Sequence, residues 1–151
     1  HDVHSPLLNP EQACGQCHTD SEYVVGRVNS IQKQVADTKI ATEDALVDAI
    51  NAIKLAAANP NADAALLDQA RNLHRKAQFM WDFVSAENST GFHSPQEAAR
   101  VLANSIDFAR QAQLSAVEVA NLLQGATVSD TAAEAEADGA YPGQSARKTR
   151  A

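Results

Sequence analysis

Two thiols and an imidazole fall in one pentapeptide near the start of the chain, Cys14-Gly15-Gln16-Cys17-His18. The spacing CxxCH is the attachment signature of a c-type haem. Each thiol can form a thioether to a vinyl group of one porphyrin, and the next residue can then present its imidazole to the iron. The chain has 2 cysteines, both inside the motif, so neither is left for a disulfide or a tetrathiolate metal site. A thioredoxin-like CxxC would need a βαβ pattern around it, and none is present. A zinc site would lack its second pair of ligands unless histidines supplied them. The expected cofactor is therefore one covalently bound haem c, with Cys14 and Cys17 as anchors and His18 as proximal ligand.

The distal side of the iron has several candidates. His93 sits between a helix end and a capped helix start, in a loop rigid enough to aim an imidazole. Its plainer reading is a loop histidine, or a ligand to another subunit's haem. His4 and His1 lie on an arm before the haem and could fold over it or reach a second chain; the amine of His1 is a further nitrogen donor. His74 adjoins Leu73 on a helix and reads as a boundary histidine. Met80 falls at a core position, where methionine usually fills space. The choice has consequences, because an axial methionine raises the reduction potential of a haem and a second histidine lowers it. An open site would instead admit small ligands.

The elements that must hold these groups read as helices throughout. Residues 1–9 show no helical pattern and suggest an extended arm. Asn9-Pro10 looks like an N-cap followed by proline at the first helical position, so a short helix from Pro10 would carry the motif. Thr19 and Glu22 resemble a capping box. Behind them Val24, Val28, Ile31 and Val35, then Leu46, Ile50, Ile53 and Ala57, keep one apolar face to about residue 58. Such a helix would be about 55 Å long, too long for one small core, so a helical hairpin or a partner chain should cover it. Asn59-Pro60-Asn61 breaks the pattern. A second helix is expected from about Ala62 to Ala86, with Leu66, Ala70, Leu73, Ala77, Met80 and Val84 at heptad spacing. Phe79, Trp81 and Phe83 are expected in its core or at the haem edge. Ser94-Pro95-Gln96-Glu97 opens a third helix, again with cap, proline and box, and Gly125 is its expected C-cap. Residues 126–151 change character and read as an extended or disordered tail.

Composition narrows the function classes. The 151 residues suit one domain. Aromatics are only 5%, so the core is thin and a bound porphyrin would thicken it. The net charge of −7 and the lack of a basic stretch interleaved with aromatics argue against nucleic acid as partner. No apolar run is long enough to span a bilayer. The start at His1 without Met suggests a mature, processed form. Covalent haem attachment in bacteria takes place outside the cytoplasmic membrane, so a periplasmic or cell-surface location is expected.

Several stretches together resemble one known family. HxxxSPLLN leading into ACxxCH, two long helices, the segment from Lys76 to Asp82 with its Trp-Asp pair, and Gly91-Phe92-His93-Ser94-Pro95-Gln96-Glu97-Ala98 are similar to the C-terminal part of the ammonia-forming multihaem cytochrome c nitrite reductases. The resemblance covers roughly residues 1–124. It implies that Cys14, Cys17 and His18 carry the C-terminal haem and that the long helices form a homodimer interface. It further implies that His93, in an FHxP motif, and His1 serve other haems. The chain departs from the family in having no second CxxCH, no CxxCK haem on which nitrite is reduced, and no calcium-binding region upstream.

The expected protein is thus all-α: a short haem-binding N-terminal segment followed by three helices, two of them long and antiparallel. Residues 1–125 would form the cytochrome domain and 126–151 the tail. The expected role is electron transfer by a single-haem cytochrome with redox protein partners, as a homodimer or a subunit of a larger assembly, rather than enzymatic catalysis. The rival reading is an open-site haem protein, either a small-ligand sensor or a nitrite or hydroxylamine reductase component.

Overall fold

The computed structural model describes the backbone of residues 4–137 and the side chains of residues 4–119. Among these residues the chain is helical and without strands. A single 3-10 turn at Pro6–Leu8 precedes α1 (Pro10–Ala13), α2 (Ser21–Ala57), α3 (Ala64–Ser85) and α4 (Pro95–Ala137). The expected all-α architecture, with three helices after the haem-binding segment, is what the structure has.

Local chemistry explains most helix ends, with changes of detail from the expected caps. α1 begins on Pro10, but the Asn9 side chain makes no capping bond. The cap of α2 is Asp20, not Thr19: its carboxylate accepts from the Tyr23 N–H at 2.8 Å. A carboxylate at this position also favours the positive end of the helix dipole. Asp63 caps α3 by accepting from the N–H groups of Ala65 and Leu66, so that helix starts two residues later than expected. At α4 the Ala98 N–H donates to the Ser94 carbonyl. The Glu97 carboxylate takes Arg100 in a two-pronged ion pair. Gly125, expected to end α4, lies inside it, and the helix continues through the alanine-rich stretch to Ala137. One glycine costs only about 1 kcal/mol in a helix whose neighbours are strong helix formers. The rest of the tail lies outside the described residues.

The three long helices pack in one consistent order. Val35, Val84 and Leu102 form one cluster, Ala45, Ala49, Ala77 and Ala109 the next, and Ala56, Ala70, Ala116 and Val119 the last. In this order chain position rises along α2, falls along α3 and rises again along α4. Each helix is therefore antiparallel to the next, and α4 lies along both α2 and α3. The seam is built from small residues, which lets helix axes approach toward the short end of the usual 8–10 Å range. Among its fully buried side chains are Leu102, Val119, Thr42 and Ser105. The two hydroxyls do not go unpaired: Thr42 Oγ1 donates to the Thr38 carbonyl within α2, and Ser105 Oγ donates to the Ala77 carbonyl across the α3–α4 seam, at 2.7 Å.

Of the aromatic cluster on α3, only Trp81 takes the core placement that was one of the two expected. Phe79 and Phe83 are 69% and 59% exposed, and Trp81 alone turns inward, half-buried against the core. The heptad reading puts the three close in sequence, but the apolar stripe facing α2 and α4 passes through Ala77, Met80, Trp81 and Val84. Residues 79 and 83 fall on the opposite side of the cylinder.

Candidate functional site

The CxxCH turn follows directly on α1. The Cys14 and Gly15 N–H groups donate to the Pro10 carbonyl, and the Cys17 and His18 N–H groups donate to the Cys14 carbonyl at 3.1 and 2.9 Å. Gly15 is needed here for space: a Cβ at that position would stand 2.5 Å from the Glu11 carbonyl oxygen. The Ser21 hydroxyl donates to the Glu11 carboxylate and so ties the turn to the start of α2. Both thiols are unpaired; Cys14 is half-buried, and Cys17 and His18 are exposed. Two free thiols on one tight turn, followed by an imidazole, are the donor set that a covalently held haem requires. They are too few for a closed tetrahedral zinc site.

A cavity of about 440 Å³ opens beside this turn and is lined by His4, Cys14, Val28, Phe92 and His93 among others. The structure thus brings His4 and His93, far apart in sequence, to the same hollow as Cys14. His1 lies outside the described residues. His74 stands elsewhere, in a groove with Lys54, Arg71 and Arg75. Its Nε2 is buried without a partner, and burial lowers the pKa of the ring. Met80 packs against the Val35–Leu102 cluster as core filler.

The loop that carries His93 is organised by a carboxylate the sequence reading passed over. Glu87 accepts from the Ser89 N–H, the Ser89 hydroxyl and the Gly91 N–H, each at 2.8 Å. Its Oε1 lies 3.5 Å from His93 Nδ1. The Ser89 hydroxyl also accepts from the His93 N–H at 3.0 Å, and Gln32 Nε2 on α2 donates to the Ser89 carbonyl at 3.0 Å. Two residues hold left-handed backbone, Thr90 at φ 52° and Gly91 at φ 79°. Glycine suits the second position because a Cβ there would meet Val35 Cγ2 at 2.6 Å. In the sequence, Asn88-Ser89-Thr90-Gly91 reads only as a helix terminator, and Glu87 ahead of it carries no reading of its own. The one further signal is an acid placed just ahead of Ser and Gly, the pattern of a side chain that bonds its own following backbone.

These bonds stabilise the ionised carboxylate and make Glu87 a stronger acid. The Gly91 N–H and then the Ser89 hydroxyl hold its carboxyl down from 4.5 to about 2, against a smaller opposing effect of burial. An unfolded chain takes up this proton near pH 4.5, and the folded loop does so only near pH 2. Between those values the unfolded state binds more protons, so stability rises with pH there. The contribution should be fully present above about pH 4.5 and lost as pH falls toward 2. Urea midpoints of the unmodified protein and Glu87→Gln, compared at pH 6 and at pH 2.5, should differ more at the higher pH. Equal differences at both would mean the carboxylate adds nothing.

Paired free thiols and an imidazole on one turn, set on an all-α bundle, define the class of c-type cytochromes. Comparison with known proteins takes the assignment further. The cytochrome c552 family model matches residues 1–149, and the chain belongs to that family, which carries covalently bound haem c. It is 44% identical over 115 residues to the cytochrome c nitrite reductase subunit NrfA of Nitratidesulfovibrio vulgaris, a match that covers 72% of this chain and 22% of that protein. It is 32% identical over 120 residues to cytochrome c-552 of Parabacteroides distasonis, covering 79% and 24%. Among solved structures it resembles the catalytic subunit NrfA of the cytochrome c nitrite reductase from Desulfovibrio desulfuricans. The TM-score is 0.70 at 39% identity, over 76% of this chain and 26% of that one. The chain spans about a quarter of the length of the curated relatives it matches.

These matches correct one expectation. The missing second CxxCH and CxxCK motifs suggested an electron carrier rather than an enzyme, but the relatives include ones named as a nitrite reductase, which is an enzyme. A segment that matches about a quarter of such a protein cannot argue from motifs that would lie in the remainder. Among the described residues no helix is long and apolar enough to cross a membrane.

Proposed function

We propose that this chain is the haem-carrying helical part of a nitrite-reducing c-type cytochrome, and that its own role there is electron transfer through one haem c. A haem c bound at the CxxCH turn supplies a one-electron iron couple. Cys14 and Cys17 would hold it through thioethers, and His18 would supply an imidazole to its iron. The α1 turn and its tie to α2 through Ser21 and Glu11 keep these three groups in place. His4 and His93 are the candidate axial imidazoles on the cavity side, and the family resemblance assigns His93 to a neighbouring haem. A second imidazole on an iron would lower its potential and close it to small ligands. The location this implies is the periplasm or the outer cell surface.

The observation that carries this reading is the convergence of His4, Cys14 and His93 on one cavity. Partners are suggested by apolar side chains that no described part of the chain covers. On α2 these include Ile40 and Val47, and on α4 Leu114 and Val117. Residues 40 and 47 fall at heptad spacing, as on a helix that meets another along its length. We propose a second copy of the chain, or another cytochrome subunit, against them.

His93→Ala in the assembled, haem-loaded protein tests the reading. The expected result is loss of one low-spin haem signature, with carbon monoxide then shifting the reduced spectrum. Spectra identical to the unmodified protein in both redox states, with and without carbon monoxide, would sink the assignment of His93.

A further inference from the structure

We infer that Glu87 is the positioning residue for His93: its carboxylate organises the 87–93 loop and faces Nδ1, which leaves Nε2 to be offered to a haem iron. The inference rests on the reading of His93 as an axial ligand and names the group that makes it one.

Three features converge. The first is how the loop is fastened. Glu87 accepts from Ser89 twice and from Gly91 once, so one side chain fixes both residues on either side of the left-handed Thr90. The Ser89 hydroxyl donates to that carboxylate and accepts from the His93 backbone N–H at 3.0 Å. A change at residue 87 is thereby passed to the histidine through a single oxygen atom.

The second is the ring itself. His93 is 73% exposed, and an unconstrained imidazole at such a site would turn freely and carry its proton on either nitrogen. Glu87 Oε1 stands 3.5 Å from Nδ1, at the outer edge of hydrogen-bond distance but well within electrostatic reach. The negative charge favours the proton on the nitrogen facing it. Histidines that ligate metals commonly give their other N–H to a carboxylate in this way, which fixes the tautomer and raises the basicity of the ligating nitrogen.

The third is the anchorage of the whole loop to the bundle. Gln32 on α2 holds the Ser89 carbonyl, and Gly91 packs so closely on Val35 that no side chain fits between them. The loop is thus fixed to the bundle from outside by Gln32 and Val35 and closed from inside by the Glu87 carboxylate. A second hollow of about 210 Å³, almost wholly apolar, is lined by both Glu87 and His93. His93 thus stands at the junction of two cavities, where the direction of its ring decides which one receives Nε2.

The test uses the assembled, haem-loaded protein and four variants: His93→Ala, Glu87→Ala, Glu87→Gln and Glu87→Asp. Absorption spectra and a redox titration are recorded for each. His93→Ala identifies which haem responds. Glu87→Ala should raise the high-spin fraction of that haem. Glu87→Gln keeps the shape and an acceptor oxygen but removes the charge, so it should stay low-spin while the potential of the same haem shifts upward. Glu87→Asp, the mildest change, withdraws the charge from Nδ1 and should give an upward shift in the same haem, readable even if Glu87→Gln does not assemble. A purely structural Glu87 would be rescued by glutamine, with the potential unchanged. An unmoved potential in Glu87→Gln and Glu87→Asp, in a protein where His93→Ala does perturb a haem, overturns the inference and leaves the ligand assignment standing. No response to His93→Ala overturns both.

Discussion

Replacing Cys14 and Cys17 together by serine is expected to give a polypeptide that weighs only its amino acids and shows no Soret absorption. The effect should be all-or-none for covalent haem, because the chain holds 2 cysteines and both lie on the one turn. Each single replacement should retain at most one thioether and a weaker hold. His18→Ala is the informative companion, since it leaves both thiols but removes the imidazole next to them. Intact-protein mass and the visible spectrum read all four proteins. Full haem mass in the double variant would remove the basis for assigning the site to this motif.

The second large effect is predicted far from the thiols. Leu102 is 0% exposed and lies between Val35 of α2 and Val84 of α3. It is the largest fully buried side chain among the described residues. The other buried members of its cluster, Val35, Val84, Ala98 and Val101, are too short to fill the space a shortened side chain would leave, and the larger Met80 and Trp81 are only partly buried against it. Leu102→Ala should therefore cost about 2–5 kcal/mol, the range for large-to-small changes in cores that cannot collapse. The same cluster packs beneath Gly91, because Val35 touches that residue from below. The loss should thus loosen the His93 loop as well as lower global stability. Urea unfolding followed by circular dichroism measures the first, and the spectrum of the haem that responds to His93→Ala measures the second. A loss well under 1 kcal/mol would mean that the seam re-packs around the hole.

Much of the fold could be read in advance because helices are local. The 3.6-residue apolar period of Val28, Val35 and Leu46, the break at Asn59-Pro60-Asn61, and the Ser94-Pro95 start each depend on residues within a turn or two of one another. Two kinds of detail are less legible. Caps slipped by one residue where two acceptors competed, as at Thr19 and Asp20. Core and outward faces are ambiguous in sequence where several apolar residues crowd one turn, as at Phe79, Trp81 and Phe83. A helical wheel alone does not say which side a neighbouring helix will take.

The proposed chemistry of attachment is legible in the sequence alone, since CxxCH places two thiols and an imidazole on one turn whatever the rest of the chain does. The rest of the candidate site belongs to tertiary structure. Whether His4, His74, Met80 or His93 stands near Cys14 depends on how α2, α3 and α4 stack, and that follows from a seam of small side chains matched over long separations. The same holds for Glu87, whose carboxylate reads as an ordinary surface acid until the loop closes round it. Covalent chemistry is written in neighbours along the chain, whereas the direction in which a ligand points is set by residues that meet only after folding.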